Sequence, residues 1–269
     1  KDPWLCVSWD EASQRPSQET SNPQELQVTQ NFRTLAKRLH LAPVYRLWKS
    51  WEAQTRWRAY RSRGPQQIRS YVTHREQTNQ GIRLQVGSGG RVLPGWLNTE
   101  YAVFGGCAFL DITQPLPFAV GAVELILAEH VIANLPKDGA ALFLRESYRC
   151  LQPGGILRLS TPNLTALSRA LIADDLEDVK FGLLKRHQRL YRPGEDITFC
   201  DLVNDIHYLW GHRYLYTEEE LFRQLRTAGF TQIERSSFGQ SRDPRLMGID
   251  HHEAGLELAY IDLIIEAVR

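Results

Sequence analysis

Residues 84–100, LQVGSGGRVLPGWLNTE, place three glycines in four positions between two short apolar runs, and the second run ends on a carboxylate, Glu100. The pattern outlines a strand, a glycine turn and a neighbouring strand. In an open α/β sheet such a turn lets backbone N–H groups approach a ligand where any Cβ would collide, and a carboxylate at the next strand end accepts two hydroxyl hydrogen bonds from a ribose. A ribose-bearing ligand is therefore expected at this turn. The spacing narrows its identity, because a dinucleotide fingerprint needs G-x-G-x-x-G and an acid about 20 residues further on. Here the third glycine would fall at Val92, and Glu100 follows Gly87 by 13 positions, too few for a full crossover helix. A pyrophosphate seated on that helix N-terminus is disfavoured. Taken alone, the turn also fits an ordinary tight strand-to-helix connection.

The segments that follow come in a fixed order. Leu110-Asp111-Ile112 reads as the end of a third strand, and Pro115-Leu116-Pro117-Phe118 as the loop leaving it. VELILAEHVIANL (123–135) reads as a buried strand with a polar end at Glu129-His130. GAALFLRESYRCLQPGG (139–155) carries a helical apolar stripe that Pro153-Gly154-Gly155 should stop, and ILRLSTPN (156–163) is the next strand.

In this order and at these distances, LQVGSGG, GWLNTE, LDITQPLPF, LAEHVIANLP and LRESYRCLQPGGILRLSTPN resemble the class I S-adenosylmethionine-dependent methyltransferases. The likeness is to the small bacterial group with a shortened first crossover, and it covers roughly residues 82–269. It implies a Rossmann-like, doubly wound α/β sheet, mostly parallel with an antiparallel edge strand, and S-adenosylmethionine as cofactor, leaving S-adenosylhomocysteine as product. By the same resemblance Gly87, Ser88, Gly89 and Gly90 line the methionine part of the cofactor, Glu100 holds the ribose hydroxyls, and Asp111 with Ile112 borders the adenine. Glu129 and His130 complete that set. The chain departs from the family pattern twice: the usual acid of the fourth strand is Glu124 rather than Asp, and the frequent Glu-His pair after it is Ala133-Asn134.

A chain of 269 residues with 42% hydrophobic content can bury a substantial core, and its formal charge of +1 argues against a surface that coats nucleic acid. The cysteines at 6, 107, 150 and 200 have no C-x-x-C spacing, so free thiols in a reducing, cytoplasmic setting are expected. No apolar run approaches a membrane span and no secretory start is seen, so the chain is expected to be soluble. Met247 is the only methionine, so a trimmed chain or a piece of a longer polypeptide is expected.

Residues 1–30, with Pro3, Pro16 and Pro23 among many Gln, Ser and Glu, read as an extended arm that Trp4 and Trp9 could anchor. Residues 31–80 read as a basic, Trp-rich helical segment in which Pro43 can open a second helix. Nine Lys or Arg stand in 31–63 against Glu52 alone. Two accounts stay open: helices packed on the domain with a solvated basic face, or a peripheral surface for anionic lipid or a partner. Residues 81–269 form the cofactor domain, with an insertion at 164–216 after the fifth strand. Ligands in such sheets lie beyond the carboxyl strand ends, so that insertion is placed to cover the acceptor. Thr217-Glu218-Glu219-Glu220 reads as a capping box opening a helix that Gly229 closes, and TQIERSSF and LELAYIDLIIEAV as two strands of the antiparallel edge.

Residues 187–216 gather His187, Tyr191, Asp205, His207, Tyr208, Trp210, His212, Arg213, Tyr214 and Tyr216, rings and imidazoles able to shape a pocket for a ring or sugar. Each His alone also reads as a hydrogen-bonded packing residue. Methyl transfer to a hydroxyl is helped by a general base, and neutral imidazole suits that task. The ordered candidates are His207, His212 and His130, with Tyr214 and Asp205 as orienting partners. His251-His252-Glu253 offers no metal-ligand spacing, and there is neither a phosphate loop of the Walker type nor a G-x-S-x-G elbow. The expected activity is O-methylation of a small or medium-sized acceptor, sugar-containing or a natural product. Two rival readings are a binding module without turnover and a nicotinamide-dinucleotide oxidoreductase.

Overall fold

The computed structural model describes residues 42–250 and 260–269. The proposed arm at 1–30, the first part of the helical segment and His251-His252-Glu253 lie outside the described residues. The described elements run α1 (Ala42–Gln77), β1 (Ile82–Val86), β2 (Leu97–Glu100), β3 (Ala108–Phe109), β4 (Val123–Glu129), α2 (Lys137–Cys150), β5 (Leu151–Pro162), α3 (Leu164–Ile172), α4 (Glu177–Tyr191), α5 (Phe199–Tyr208), α6 (Glu218–Ala228), β6 (Gln232–Ser236) and β7 (Asp262–Val268). Short 3-10 turns at Ile132–Asn134 and Asp174–Leu176 complete the chain order.

The seven strands form one sheet in the order β3-β2-β1-β4-β5-β7-β6. All neighbours pair in parallel except those of β7, which runs against both β5 and β6. This is a Rossmann-like α/β sheet with an antiparallel edge. The order reverses between β1 and β4, where ligands of open sheets bind. Buried, branched runs such as Val123, Leu125, Ile126 and Leu127 of β4 suit a strand covered on both faces.

The β1–β2 connection contains no helix, as the short spacing requires. Its loop is tied instead by Asn98, which accepts from Leu93 N at 2.8 Å and donates to the carbonyls of Leu93 and Trp96 at 3.1 Å each. One face of the sheet packs against α1, α2 and α6, through Ile68, Phe143, Leu144, Leu221 and Leu225. The other is covered by loops, with Trp96, Leu246 and Ile249 on Leu125, Leu127 and Ile156.

Residues 57–75 of α1 dock at helical spacing on the β2–β3 side. Trp57 and Tyr60 meet Phe109 edge-on, Tyr60 donates to the Glu100 carbonyl at 3.0 Å, and Tyr71 to that of Gly95 at 2.9 Å. Gly64 sits where any Cβ would lie 2.6 Å from the Phe109 carbonyl oxygen, so a glycine is required for the helix to approach so closely. Trp51 stays exposed.

Several boundaries differ from the sequence reading, β3 among them: it ends at Phe109, so Leu110-Asp111-Ile112 lies in the turn after it and not at the strand's end. Helix α2 ends at Cys150, ahead of Pro153, because Leu151 already pairs with Val123 in the sheet. At the start of α6 only half of the capping box forms. Thr217 accepts from Glu220 N, while the Glu220 carboxylate turns to Arg223, Gln224 and Lys137. Arg223, then Gln224 and Lys137, outweigh burial and hold its pKa at about 2 against an ordinary 4.5. Its contribution to stability is therefore present above pH 4.5 and lost as pH falls towards 2. Glu220→Gln is expected to lower stability by up to about 1 kcal/mol at pH 7 and by almost nothing near pH 2. Urea midpoints at the two pH values check this, and an equal gap at both would contradict it.

Candidate active site

The candidate site lies at the carboxyl edge of the sheet, over the switch point. Gly87, Gly89 and Gly90 all take left-handed backbone, with φ of +62°, +56° and +87°. A Cβ at Gly87 would strike Val131 at 2.2 Å, whereas one at Gly89 would meet no protein atom within 4 Å. The turn is thus closed below and open above. Glu100 Oε2 accepts from Gly89 N at 2.9 Å, and Oε1 from Tyr101 N and Ala102 N at 2.7 and 3.3 Å. Three backbone amides therefore hold the carboxylate at the rim of that opening. Ser88 hangs beneath, its hydroxyl 3.0 Å from Cys107 Sγ and its N–H on the Thr99 carbonyl. Burial pushes the Cys107 thiol up, and Glu100 adds to this, against the opposing Ser88 bond.

Asp111 follows β3 and caps its own turn, its Oδ1 accepting from Thr113 N and Oγ1 at 3.0 and 2.6 Å, and Ile112 beside it is buried. Arg91, unremarked in the sequence, reaches across the switch point to Glu129, with Nη1 3.1 Å from Oε2. Opposite charges thus face one another over the site. Phe104, also missed, lies 3.0 Å from where a Gly90 Cβ would be.

His130 is one of two described non-glycine residues with positive φ, at +53°. Its N–H reaches the Ser160 carbonyl at 3.0 Å and its Nε2 lies 3.3 Å from Asp262 Oδ2. Asp262 opens β7, and because β7 is antiparallel its first residue falls at the same edge as the last residues of β4 and β5. Burial opposes the charged imidazole, but the Asp262 and Glu129 carboxylates outweigh it and raise the His130 pKa.

The insertion closes over this edge. Asn163 caps α3 and bridges to Tyr216, while Leu164 N donates to the Tyr216 carbonyl at 2.8 Å, so both ends of the insertion meet. Arg213 N and Tyr214 N donate to the Ala133 carbonyl at 2.7 and 3.2 Å, pinning the returning chain beside the turn that follows His130. His212 is buried next to them with no partner at Nδ1. Burial first, then the charges of His130 and His207, lower its pKa to about 4, against a hydrogen bond to the Ile206 carbonyl.

The other expected lid residues go elsewhere. His207 is exposed on α5. The Asp205 carboxylate faces His187 Nε2 at 2.7 Å and receives Arg192 at 3.0 and 2.7 Å, so the structure gives His207 no carboxylate from that residue. Tyr214 stacks edge-on with Tyr216 at 4.8 Å beneath the Lys137 ammonium. His187, Tyr191, Trp210 and His212 form a continuous chain of ring contacts inside the insertion.

A cavity of about 260 Å³ lies at the opposite, amino end of the sheet, lined by Arg75, Gln80, Gly81, Arg83, Gly95 and Glu124. Its charges are spent on each other, Glu124 on Arg83 and Arg245, and Arg75 on the Gly81 carbonyl. Among the described residues no three His, Cys, Asp or Glu side chains gather as a metal would need, and no helix is long and apolar enough to cross a membrane.

No family model and no curated protein matches the chain. Solved structures do. A SAM-dependent methyltransferase from Archaeoglobus fulgidus aligns at 13% identity over 76% of this chain and 94% of its own, with a TM-score of 0.43. One from Mesorhizobium loti aligns at 16% over 70% and 90%, with 0.41. A third, named as a possible histamine N-methyltransferase from Thermotoga maritima, aligns at 15% over 83% and 96%, with 0.39. At such identities and TM-scores, the fold assignment rests on the strand order and the functional reading on the site.

Proposed function

We propose that this chain is an S-adenosylmethionine-dependent methyltransferase acting on an oxygen of a small or medium-sized acceptor, sugar-containing or a natural product, with a histidine as proton acceptor. The observation that carries the reading is the open turn at Gly89 with the Glu100 carboxylate 2.9 Å from its N–H. A nucleoside fits there with its ribose hydroxyls on Glu100. Arg91 and Glu129, which pair with each other at 3.1 Å, would exchange that pairing for the carboxylate and ammonium of an amino-acid tail. A dinucleotide would instead need a helix N-terminus for its pyrophosphate, and the β1–β2 loop has no helix.

When bound, the cofactor supplies a methyl group already activated on a sulfonium. The protein's own task is to align the acceptor with that methyl and to exclude water. Glu100 and the glycine turn anchor the nucleoside, and the insertion closes the edge through its bonds to Ala133 and Asn163. Calorimetry on the full chain with S-adenosylmethionine, S-adenosylhomocysteine and NAD tests the reading. Binding of the first two and not of NAD is expected, and NAD binding alone would overturn it. Incubating extracts with isotopically labelled S-adenosylmethionine then separates catalysis from silent binding, through the product that receives the label.

A further inference from the structure

We propose that the acceptor hydroxyl is received between His130 and His212, with His212 Nδ1 taking its proton and Asp262 positioning His130 beside it. This deepens the methyltransferase reading and rests on it. Three independent placements support it. First, His130 stands just past the end of β4, at the switch point, in a left-handed conformation that is unfavourable for a non-glycine residue. Such an outlier persists where surroundings hold it, and here the Ser160 carbonyl and Asp262 do so. Secondly, the Ala133 carbonyl fixes residues 213 and 214 next to the turn after His130, which brings His212 to the same edge. Thirdly, His212 is 8% exposed and its Nδ1 has no partner, a lone pair that a ligand hydroxyl would satisfy.

The electrostatics agree with the division of labour. The pocket sets the two imidazoles apart, raising one pKa and lowering the other, as pairs of acid–base groups in one site require. His212 therefore carries its lone pair at neutral pH. In the transfer, the acceptor oxygen gives its proton to His212 Nδ1 while its electron pair forms the new O–C bond, and the pair of the broken C–S bond stays on sulfur. The charge arriving on His212 replaces the one the sulfonium loses, so the pocket's total is unchanged. His207 is excluded by its exposure on α5, and Asp205 by its commitment to His187 and Arg192.

The test uses the wild-type full chain with ¹⁵N-labelled histidine, the His130 and His212 signals being assigned with His130→Gln and His212→Gln. S-adenosylhomocysteine has no group at the methyl position, whereas sinefungin carries an ammonium there. Sinefungin is expected to shift the His130 and His212 ring nitrogens well beyond the shift S-adenosylhomocysteine causes, and to leave His207 in place. Asp262→Asn is expected to move the His130 signal while leaving S-adenosylhomocysteine affinity within about twofold, since Asp262 touches no part of the glycine turn. Binding of both nucleosides with unmoved His130 and His212, or with His207 responding instead, would remove this proposal alone. Failure of either nucleoside to bind would remove the methyltransferase reading, and the proposal with it.

Discussion

Replacing Arg158 with alanine is expected to lower stability by about 3–5 kcal/mol, because it strips the partner from two buried carboxylates. Arg158 is 1% exposed in the middle of β5. Its guanidinium meets Asp250 at 2.9 and 2.6 Å and also pairs with Glu266, its cross-strand neighbour on β7. The remaining donors reach Ser236 Oγ and the carbonyls of Gln240 and Ser237. One side chain thus ties β5 to β7 and to the loop at 237–250, whose Leu246 and Ile249 pack on the sheet face opposite α2 and α6. Truncation leaves Asp250 and Glu266 buried without a counter-charge. Arg158→Lys should fall between, since an ammonium cannot fork to both carboxylates. Urea unfolding measures both variants, and a loss under about 1 kcal/mol for alanine would show that the carboxylates find water instead.

Gly89→Leu is expected to weaken S-adenosylhomocysteine binding by about a hundredfold or more, some 2.7 kcal/mol, while the fold survives. A Cβ at Gly89 meets no protein atom within 4 Å, so the new side chain fills the space assigned to the nucleoside rather than the core. The cost to folding is the φ of +56°, about 1–2 kcal/mol for a non-glycine residue. Glu100→Ala should weaken the same ligand by about 10- to 150-fold, the worth of a hydrogen bond to a charged group. It also deprives the N–H groups of Gly89, Tyr101 and Ala102 of their acceptor, so part of its effect will appear as lost stability. Calorimetry on folded protein distinguishes the two variants. Wild-type affinity in Gly89→Leu would place the nucleoside elsewhere.

The glycine-turn side was more legible in the amino-acid order than the acceptor side. The glycine turn, Glu100, Asp111 and the Glu129-His130 step follow one another within a few dozen residues, and each sits at or just past a strand end that local patterning marks. The insertion shows the opposite. Its rings and imidazoles stood out by density, yet density carries no direction. His187, Tyr191 and Trp210 turn on each other, and Asp205 is claimed by Arg192 and His187. The half-formed capping box has a more local cause: Arg223 and Gln224, one turn on in the same helix, take the Glu220 carboxylate, and Lys137 adds a longer contact.

Hydrophobic periodicity and the placement of glycines by themselves marked a strand, a glycine turn, a short first connection ending on a carboxylate and the helices and strands that follow, since strand period and backbone freedom are local properties. The tertiary structure alone decided that Asp262 meets His130, that Arg91 spans to Glu129, and that Arg158 lies between Asp250 and Glu266. Those meetings depend on which strands are neighbours, on their register and on the reversed direction of β7. Such relations arise only when distant segments share one core.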